Sequence, residues 1–202
     1  GLGMGLVGYW RFDKGTGKVA ADSSGRGNHG RIEGAKWCRG RVGNALKFDG
    51  DQDVVKLGNP KELQIADDIT IAMWLYPKNF AERRNPWNKS YGAEGTMTIE
   101  QSGTINFFYG IGGGNEHPYT SAAMTKRLIP DVWAHVAVVR DYEARTITWY
   151  KDGIKTGSKA IPYPQGSSSS LNASIGNGYA GGYLGVIDDV RVYNRALTAG
   201  EV

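Results

Sequence analysis

The sequence predicts an all-β protein, an antiparallel β-sandwich of two packed sheets. Apolar residues recur with a period of two along most of the chain, and long helical patterns are absent. Glycine makes up 30 of the 202 residues, roughly twice the ~7% average, which suits many tight turns. Six Trp and five Phe, at about 150–250 Å² each, need a core closed from both sides. A chain of this length buries a sizeable core without metal or disulfide staples, and residues 1–202 read as a single domain.

In chain order, short strands are expected at 8–12, 45–48 and 54–57. Segment 69–76 places Ile69, Ile71, Met73 and Leu75 on one face and Ala72, Trp74 and Tyr76 on the other. Both faces are apolar or aromatic, as in a central strand. Further strands follow at 96–99 and 104–109. Segment 132–140 is a strand by length and β-branching, and 145–150 comes after it. Lys151-Asp152-Gly153-Ile154 signals a hairpin, because Asp-Gly accepts the positive φ of a type I′ turn. Strands at 171–175 and 186–193 close the series, with 166–170 (Gly-Ser-Ser-Ser-Ser) as a flexible loop. At the end, Thr198 and Glu201 have capping-box spacing. A helix starts there as the chain stops, which reads as a piece of a longer polypeptide.

Two stretches, 77–95 and 110–121, are too long for hairpin loops. Loops of about 12 residues or more in a compact domain are often functional. They carry Arg84, Trp87, Tyr91 and Glu94 in the first, and Glu116, His117 and Tyr119 in the second.

The bulk composition narrows the function. With 24 basic and 20 acidic residues the formal charge is +4, spread without a block of like charges or a nucleic-acid recognition signature. Nucleic acid is therefore excluded as a partner; the basic residues read first as a solvated surface, with attraction to an anionic polymer as the alternative. No apolar run approaches the ~18 residues of a membrane span, and Gly1–Gly5 lacks the pattern of a secretory leader. Cys38 is the single cysteine, so no internal disulfide forms; it reads as a half-buried small side chain rather than a reactive thiol.

The order of segments resembles a known family. The stretches Tyr9-Trp10-Arg11-Phe12-Asp13 and Ala21-Asp22-Ser23-Ser24-Gly25-Arg26-Gly27-Asn28-His29-Gly30 are similar to the opening of laminin G-like, concanavalin A-like jelly-roll domains. The likeness continues through Gly43–Gly50, Ile69–Pro77, Trp133–Asp141 and Trp149–Gly153, and ends with Ile187-Asp188-Asp189-Val190-Arg191-Val192-Tyr193-Asn194-Arg195-Ala196-Leu197. It implies a jelly roll with one concave sheet. It does not fix activity, since such folds serve lectins, carbohydrate-binding modules, glycosidases, lyases and adhesion domains.

Catalytic signatures of that superfamily are missing. No Glu here has Asp two positions later, as the glycosidase pattern Glu-x-Asp-x-x-Glu requires to set two carboxylates about 5–5.5 Å apart. Arg31-Ile32-Glu33-Gly34-Ala35 lacks the second Arg of the lyase pattern. No Gly-x-Ser-x-Gly elbow or zinc spacing occurs. His135, mid-strand beside Trp133, reads as structural.

A structural calcium is expected. The resemblance implies Asp188 as a ligand, and the first loop, with Asp22 and Asn28 among glycines, supplies further oxygens. The competing reading gives Asp22 and Asn28 only Asx-turns and Asp188 a backbone-capping role. Asp49, Asp51 and Asp53 mimic the start of an EF-hand, but Val54 and Pro60 occupy the positions of its glycine and glutamate, so a turn explains them.

Sugar rings stack their C–H faces on Trp or Tyr and pair their hydroxyls with amides, carboxylates or guanidinium groups. Trp87 and Tyr119 are expected to stack; Arg84, Glu94, Glu116 and Asn177 to bind hydroxyl or acidic groups; Tyr91, His117 and Tyr179 to complete the site. The expected function is a non-catalytic carbohydrate-binding module for an extracellular or cell-surface glycan or polysaccharide, beside other domains of a longer chain. A protein-binding adhesion module and a polysaccharide hydrolase or lyase are the alternatives.

Overall fold

The computed structural model describes residues 1–113 and 118–202. It is almost entirely β, two antiparallel sheets packed as a sandwich, with one short 3₁₀ turn at Lys61–Leu63. In chain order the strands are β1 (Leu6–Trp10), β2 (Val19–Ala20), β3 (Gly30–Glu33), β4 (Lys36–Arg39), β5 (Asn44–Asp49), β6 (Val54–Gly58), β7 (Ile69–Pro77) and β8 (Arg84–Ser90). The second half adds β9 (Gly95–Ile99), β10 (Ile105–Gly110), β11 (Tyr119–Ala123), β12 (Ala134–Asp141), β13 (Thr146–Lys151), β14 (Ile154–Ala160), β15 (Ala173–Ile175) and β16 (Leu184–Tyr193).

The first sheet runs β14-β13-β12-β7-β16-β5-β4, with β1 also on β16. The second runs β11-β10-β9-β8-β15-β6-β3-β2. Side chains alternate across each strand, so one set from each sheet meets in the core. Ile71, Met73 and Leu75 of β7 face Met97, Ile99, Ile105 and Phe107 of the second sheet in one buried cluster. Trp10 and Trp87 lie within it, their ring centroids 6.2 Å apart.

The expected hairpin at 151–154 joins β13 to β14. Asp152 (φ 52°) and Gly153 (φ 76°) both adopt the positive φ of a type I′ turn. Thr198 and Glu201 form their capping contact, the Glu201 carboxylate accepting the Thr198 amide at 3.0 Å within a terminal turn.

Three expectations differ from the structure. Residues 77–95 are not one loop, because 84–90 form β8. Its sequence, Arg-Asn-Pro-Trp-Asn-Lys-Ser, has poor strand propensity, and its pairing with β9 shifts register twice, which breaks the two-residue pattern. Likewise β11 occupies the end of the 110–121 stretch. The 166–170 segment is not free either: the Ser169 amide and hydroxyl donate to the buried Glu94 carboxylate at 2.9 and 2.7 Å.

Candidate functional site

Alternation on the second sheet decides which side chains face outward. On β10, Ile105, Phe107 and Tyr109 point into the core, so Asn106 and Phe108 point out. On β6 and β3 the same rule turns Lys56, Arg31 and Glu33 outward. Cross-strand register places Arg31 opposite Lys56, Lys56 opposite Ser174, and Ser174 opposite Asn88. Phe108 stands opposite Thr96 and Ser121.

Four rings gather on this face. Tyr91, in the turn after β8, folds back over β9, its hydroxyl 3.1 Å from that of Thr98. Its ring centroid is 5.0 Å from Phe108, 6.0 Å from Tyr119 and 5.7 Å from Tyr179. The two segments singled out in the sequence thus meet over one face. Tyr91 is the buried base of the cluster, Phe108 and Tyr119 are half-buried, and Tyr179 is 81% exposed. Arg83 lies over Phe108 with its guanidinium carbon 5.8 Å from the ring centroid. It is paired with Glu100 at 2.8 Å, and Asn106 donates to the same carboxylate at 3.0 Å. Burial raises the Glu100 pKa, but the hydrogen bonds from Arg83 and Asn106 outweigh it and hold the group below its ordinary value.

Beside the rings runs an open cleft of about 870 Å³, lined by His29, Arg31, Glu33, Lys56, Ser174 and Asn177 among others. Its size is that of a small-ligand site. Glu33 pairs with both Arg31 and Lys56; the hydrogen bond from Lys56 is the main cause of its lowered pKa. The turn at 176–178 joins the cleft to the rings. Gly176 has φ +81°, and a side chain there would collide with the Phe48 ring, so glycine is required. Asn177 and Gly178 line the cleft, and Tyr179 follows them into the cluster. The Asn177 amide donates to the Asp51 carbonyl at 2.7 Å, which fixes the turn.

Three expected site residues lie elsewhere. Trp87 is 2% exposed and belongs to the core, so its ring is closed to ligand. Glu94, 1% exposed, is ion-paired with buried Lys89 at 2.8 Å. Arg84 is buried and donates to the carbonyls of Gly50 and Gly182 at 3.0 and 2.8 Å. All three sit on or beside β8, whose buried polar side chains are bonded inside the protein, with Arg84 Nε left unpaired. Glu116 and His117 lie outside the described residues. Sequence reasoning missed Phe108, Glu100 and Lys56, and weighed Arg31 and Glu33 only as an incomplete lyase pattern. Strict alternation on 104–109 would have found Phe108, since Phe107 must face the core.

The calcium ligands do not come together as one fitting set. Both oxygens of Asp22 are occupied by donors: the amides of Tyr9, Ser24 and Asn28 and the Ser24 hydroxyl, at 2.8–2.9 Å. That cradle of N–H groups suits an anion, not a cation. Burial opposes ionisation of Asp22, but these bonds prevail and lower its pKa. The Asn28 side-chain amide donates to the Val7 carbonyl. Asp188 lies on β16, where its Oδ2 accepts the Val42 amide at 3.0 Å. Among the described residues, no three His, Cys, Asp or Glu gather as metal ligands. Asp49, Asp51 and Asp53 hold a turn, Asp53 accepting the Asp49 amide and Asp49 that of Asp51.

Asp188 is nevertheless distinctive. Its Oδ1 is buried without a partner, and burial pushes its pKa up to about 6. Protonation therefore favours the folded state. Stability is greatest below the unfolded pKa near 3.8 and falls as pH rises towards 6, by about 2–3 kcal/mol from this group. Urea titrations from pH 4 to 6.5 should show Asp188→Asn gaining on the wild type across that window. A constant gap would refute the assignment. Millimolar calcium that raised Tm in the wild type but not in D188N would instead give the orphan oxygen to a cation.

The Laminin_G_3 family model, described as the concanavalin A-like lectin/glucanases superfamily, matches residues 49–202. No curated protein sequence matches this chain. Among solved structures, domain 4 of AbnA, an extracellular arabinanase of Geobacillus stearothermophilus in complex with arabinotriose, superposes with a TM-score of 0.76. It is 17% identical, with 97% of this chain and 95% of that one covered. The binding domain of Paraclostridial Mosquitocidal Protein 1 gives 0.77 at 15% identity, covering 100% of this chain and 51% of that one. The binding domain of Botulinum Neurotoxin DC in complex with SialylT gives 0.74 at 13%, covering 100% and 50%. This chain spans about half the length of those two toxin domains. At such identities the likeness establishes a shared sandwich. The family match covers most of the chain, and strand order and sheet packing agree with it: the chain belongs to the concanavalin A-like lectin/glucanase superfamily, in its laminin G-like branch.

Proposed function

We propose that this chain is a non-catalytic glycan-binding module that reads its ligand on the outward face of the second sheet. The observation that carries the reading is the cluster of Tyr91, Phe108, Tyr119 and Tyr179, continuous through the 176–178 turn with a polar cleft. Exposed Tyr179 and half-buried Tyr119 offer ring faces to sugar C–H groups. Arg31, Lys56, Ser174 and Asn177 offer donors and acceptors to hydroxyls of neighbouring units. Large aromatic rings left in water are costly unless they are used.

The carboxylates on this face support binding rather than turnover. Glu33 and Glu100 are each locked in ion pairs that hold their pKa values low. A glycosidase acid needs the opposite shift, a carboxyl kept protonated near neutral pH. Two of the structural relatives are described in complex with arabinotriose and SialylT, which supports a saccharide as ligand class. The module acts outside the cell or at its surface, as part of a longer chain. No helix among the described residues is long and apolar enough to cross a membrane.

A glycan array spanning neutral and acidic oligosaccharides, followed by calorimetry on the hits, tests the proposal. Tyr179→Ala is expected to weaken binding about tenfold, since a stacked ring contributes on the order of 1 kcal/mol. Tyr179 is exposed, so the variant keeps its fold. A flat array, or binding indifferent to Tyr179 and to Lys56→Ala, would overturn the assignment of this face.

A further inference from the structure

The outward face of the first sheet is divided in two. One half is roofed by the chain's own C-terminal segment, where Ala196 and Val202 pack on Ala72, Ala137, Val139 and Tyr150. The other half is open and aromatic. Trp74 pairs with His135 at 5.3 Å between ring centroids, and Tyr76 with Trp133 at 5.4 Å. Gly40, Arg41, Trp74, Val132, Trp133 and Asp152 line a shallow, open cleft of about 560 Å³ there.

Most charged groups of this region have partners, although Asp188 Oδ1, opposite Trp74, and Arg191 Nε are buried without one. Asp152 accepts the His135 amide at 2.9 Å and pairs with Lys151 at 2.9 Å. Arg191 pairs with Asp189 at 3.0 Å and bonds the Tyr9 hydroxyl. Arg41 makes no side-chain hydrogen bond or ion pair among the described residues. Its guanidinium carbon sits 4.9 Å from the centroid of the Trp74 ring. The Asp188 carboxylate accepts the amide of Val42, so the loop carrying Arg41 is fastened to the sheet. A stacked guanidinium on a fastened loop is pre-organised, with a fork of N–H donors still to be satisfied. Planar carboxylates match that fork in a bidentate way.

We propose that this cleft is a second binding site, one that takes a carboxylated sugar: the carboxylate on Arg41, the sugar ring against Trp133. The two requirements, an anion beside an apolar ring face, coincide in uronic-acid units. The site is on the sheet opposite the tyrosine cluster and does not depend on that cluster's role. With both occupied, the module would hold an acidic polysaccharide at two points, and avidity would exceed either affinity alone.

Trigalacturonate and neutral galactotriose are the probes, followed through the indole N–H resonances of the full chain in ¹H–¹⁵N spectra. Trigalacturonate is expected to shift the Trp133 and Trp74 signals, with galactotriose at least tenfold weaker. Arg41→Gln, a change at an exposed residue, should weaken trigalacturonate at the Trp133 and Trp74 signals at least tenfold, while Arg26→Gln, an exposed arginine of the first loop outside both sites, leaves it unchanged. Equal affinity for the two sugars, an unaltered R41Q, or no indole shift at 10-fold excess over a millimolar Kd would overturn the proposal. Loss with Y179A but not with R41Q would return the ligand to the second sheet and leave the first without a site.

Discussion

Replacing Glu94 by alanine is expected to remove about 3–5 kcal/mol of folding stability, the range for a buried ion pair deprived of one partner. Lys89 and Glu94 are 2% and 1% exposed and 2.8 Å apart. Lys89 also donates to Asn59 Oδ1 and to the Leu171 carbonyl at 2.9 Å, and Glu94 accepts both donors of Ser169. The pair thus fastens the glycine–serine loop to the turn that carries Tyr91. Without Glu94 the ammonium stays buried with neutral acceptors but no counter-charge, and two Ser169 donors lose theirs. Chemical denaturation at pH 7 measures the cost, and hydrogen exchange should show the Ser169 and Leu171 amides opening first. Lys89→Met with Glu94→Leu is expected to be less damaging than either single change, because no unpaired charge remains. A loss below about 1 kcal/mol in E94A would mean that the pair does not hold the loop.

The strands that were legible in the sequence are those whose burial alternates or is complete. Ile69–Pro77 and Ala134–Asp141, central in the first sheet, differ from their expected bounds by one or two residues at an end. Asp152-Gly153 announced its hairpin because the turn demands positive φ at both positions. β8 was illegible for a physical reason. Arg84, Asn85 and Lys89 are buried polar groups whose partners lie far away in sequence: Arg84 reaches Gly182, Asn85 reaches Met97, Lys89 reaches Leu171. A one-dimensional reading equates polarity with exposure, and here tertiary hydrogen bonds cancel that equation.

The same error explains the site. Trp87 looked available because its neighbours are polar, yet its ring fills the core against Trp10. Tyr91, Tyr119 and Tyr179 do meet on one face, which their sequence positions alone suggested but could not place. Arg31 and Glu33 were weighed only against the lyase pattern, not as an outward-facing pair, because β3 is a four-residue strand with only Ile32 and Gly30 turned inward. Alternation on so short a segment carries little signal.

Arg140→Met is expected to cost about 4 kcal/mol or more, which for a chain of this size lowers Tm by about 8–16 °C. The Arg140 guanidinium is fully buried and faces no carboxylate at hydrogen-bonding distance; burial lowers its pKa. It donates to the carbonyls of Asp67 at 2.6 and 2.9 Å, Ile65 at 2.9 Å, Glu94 at 3.0 Å and Ala93 at 3.4 Å. One side chain of β12, in the first sheet, thereby ties down the 65–67 loop and the turn between β8 and β9 of the second. Methionine fills the volume but strands those carbonyls without donors, and each buried acceptor left unpaired costs about 1–3 kcal/mol. Lysine should rescue little, since a single ammonium cannot span a fork of acceptors. Because Arg140 holds the backbone of Glu94, R140M and E94A should be non-additive in a double-mutant cycle, whereas R140M and R41Q, which touch different parts of the fold, should add. R140K should also weaken any saccharide bound at Tyr119 and Tyr179 by loosening the turn beneath Tyr91. An R140K variant with wild-type Tm would show that the carbonyls find other donors, and the coupling between the two sheets would have to be sought elsewhere.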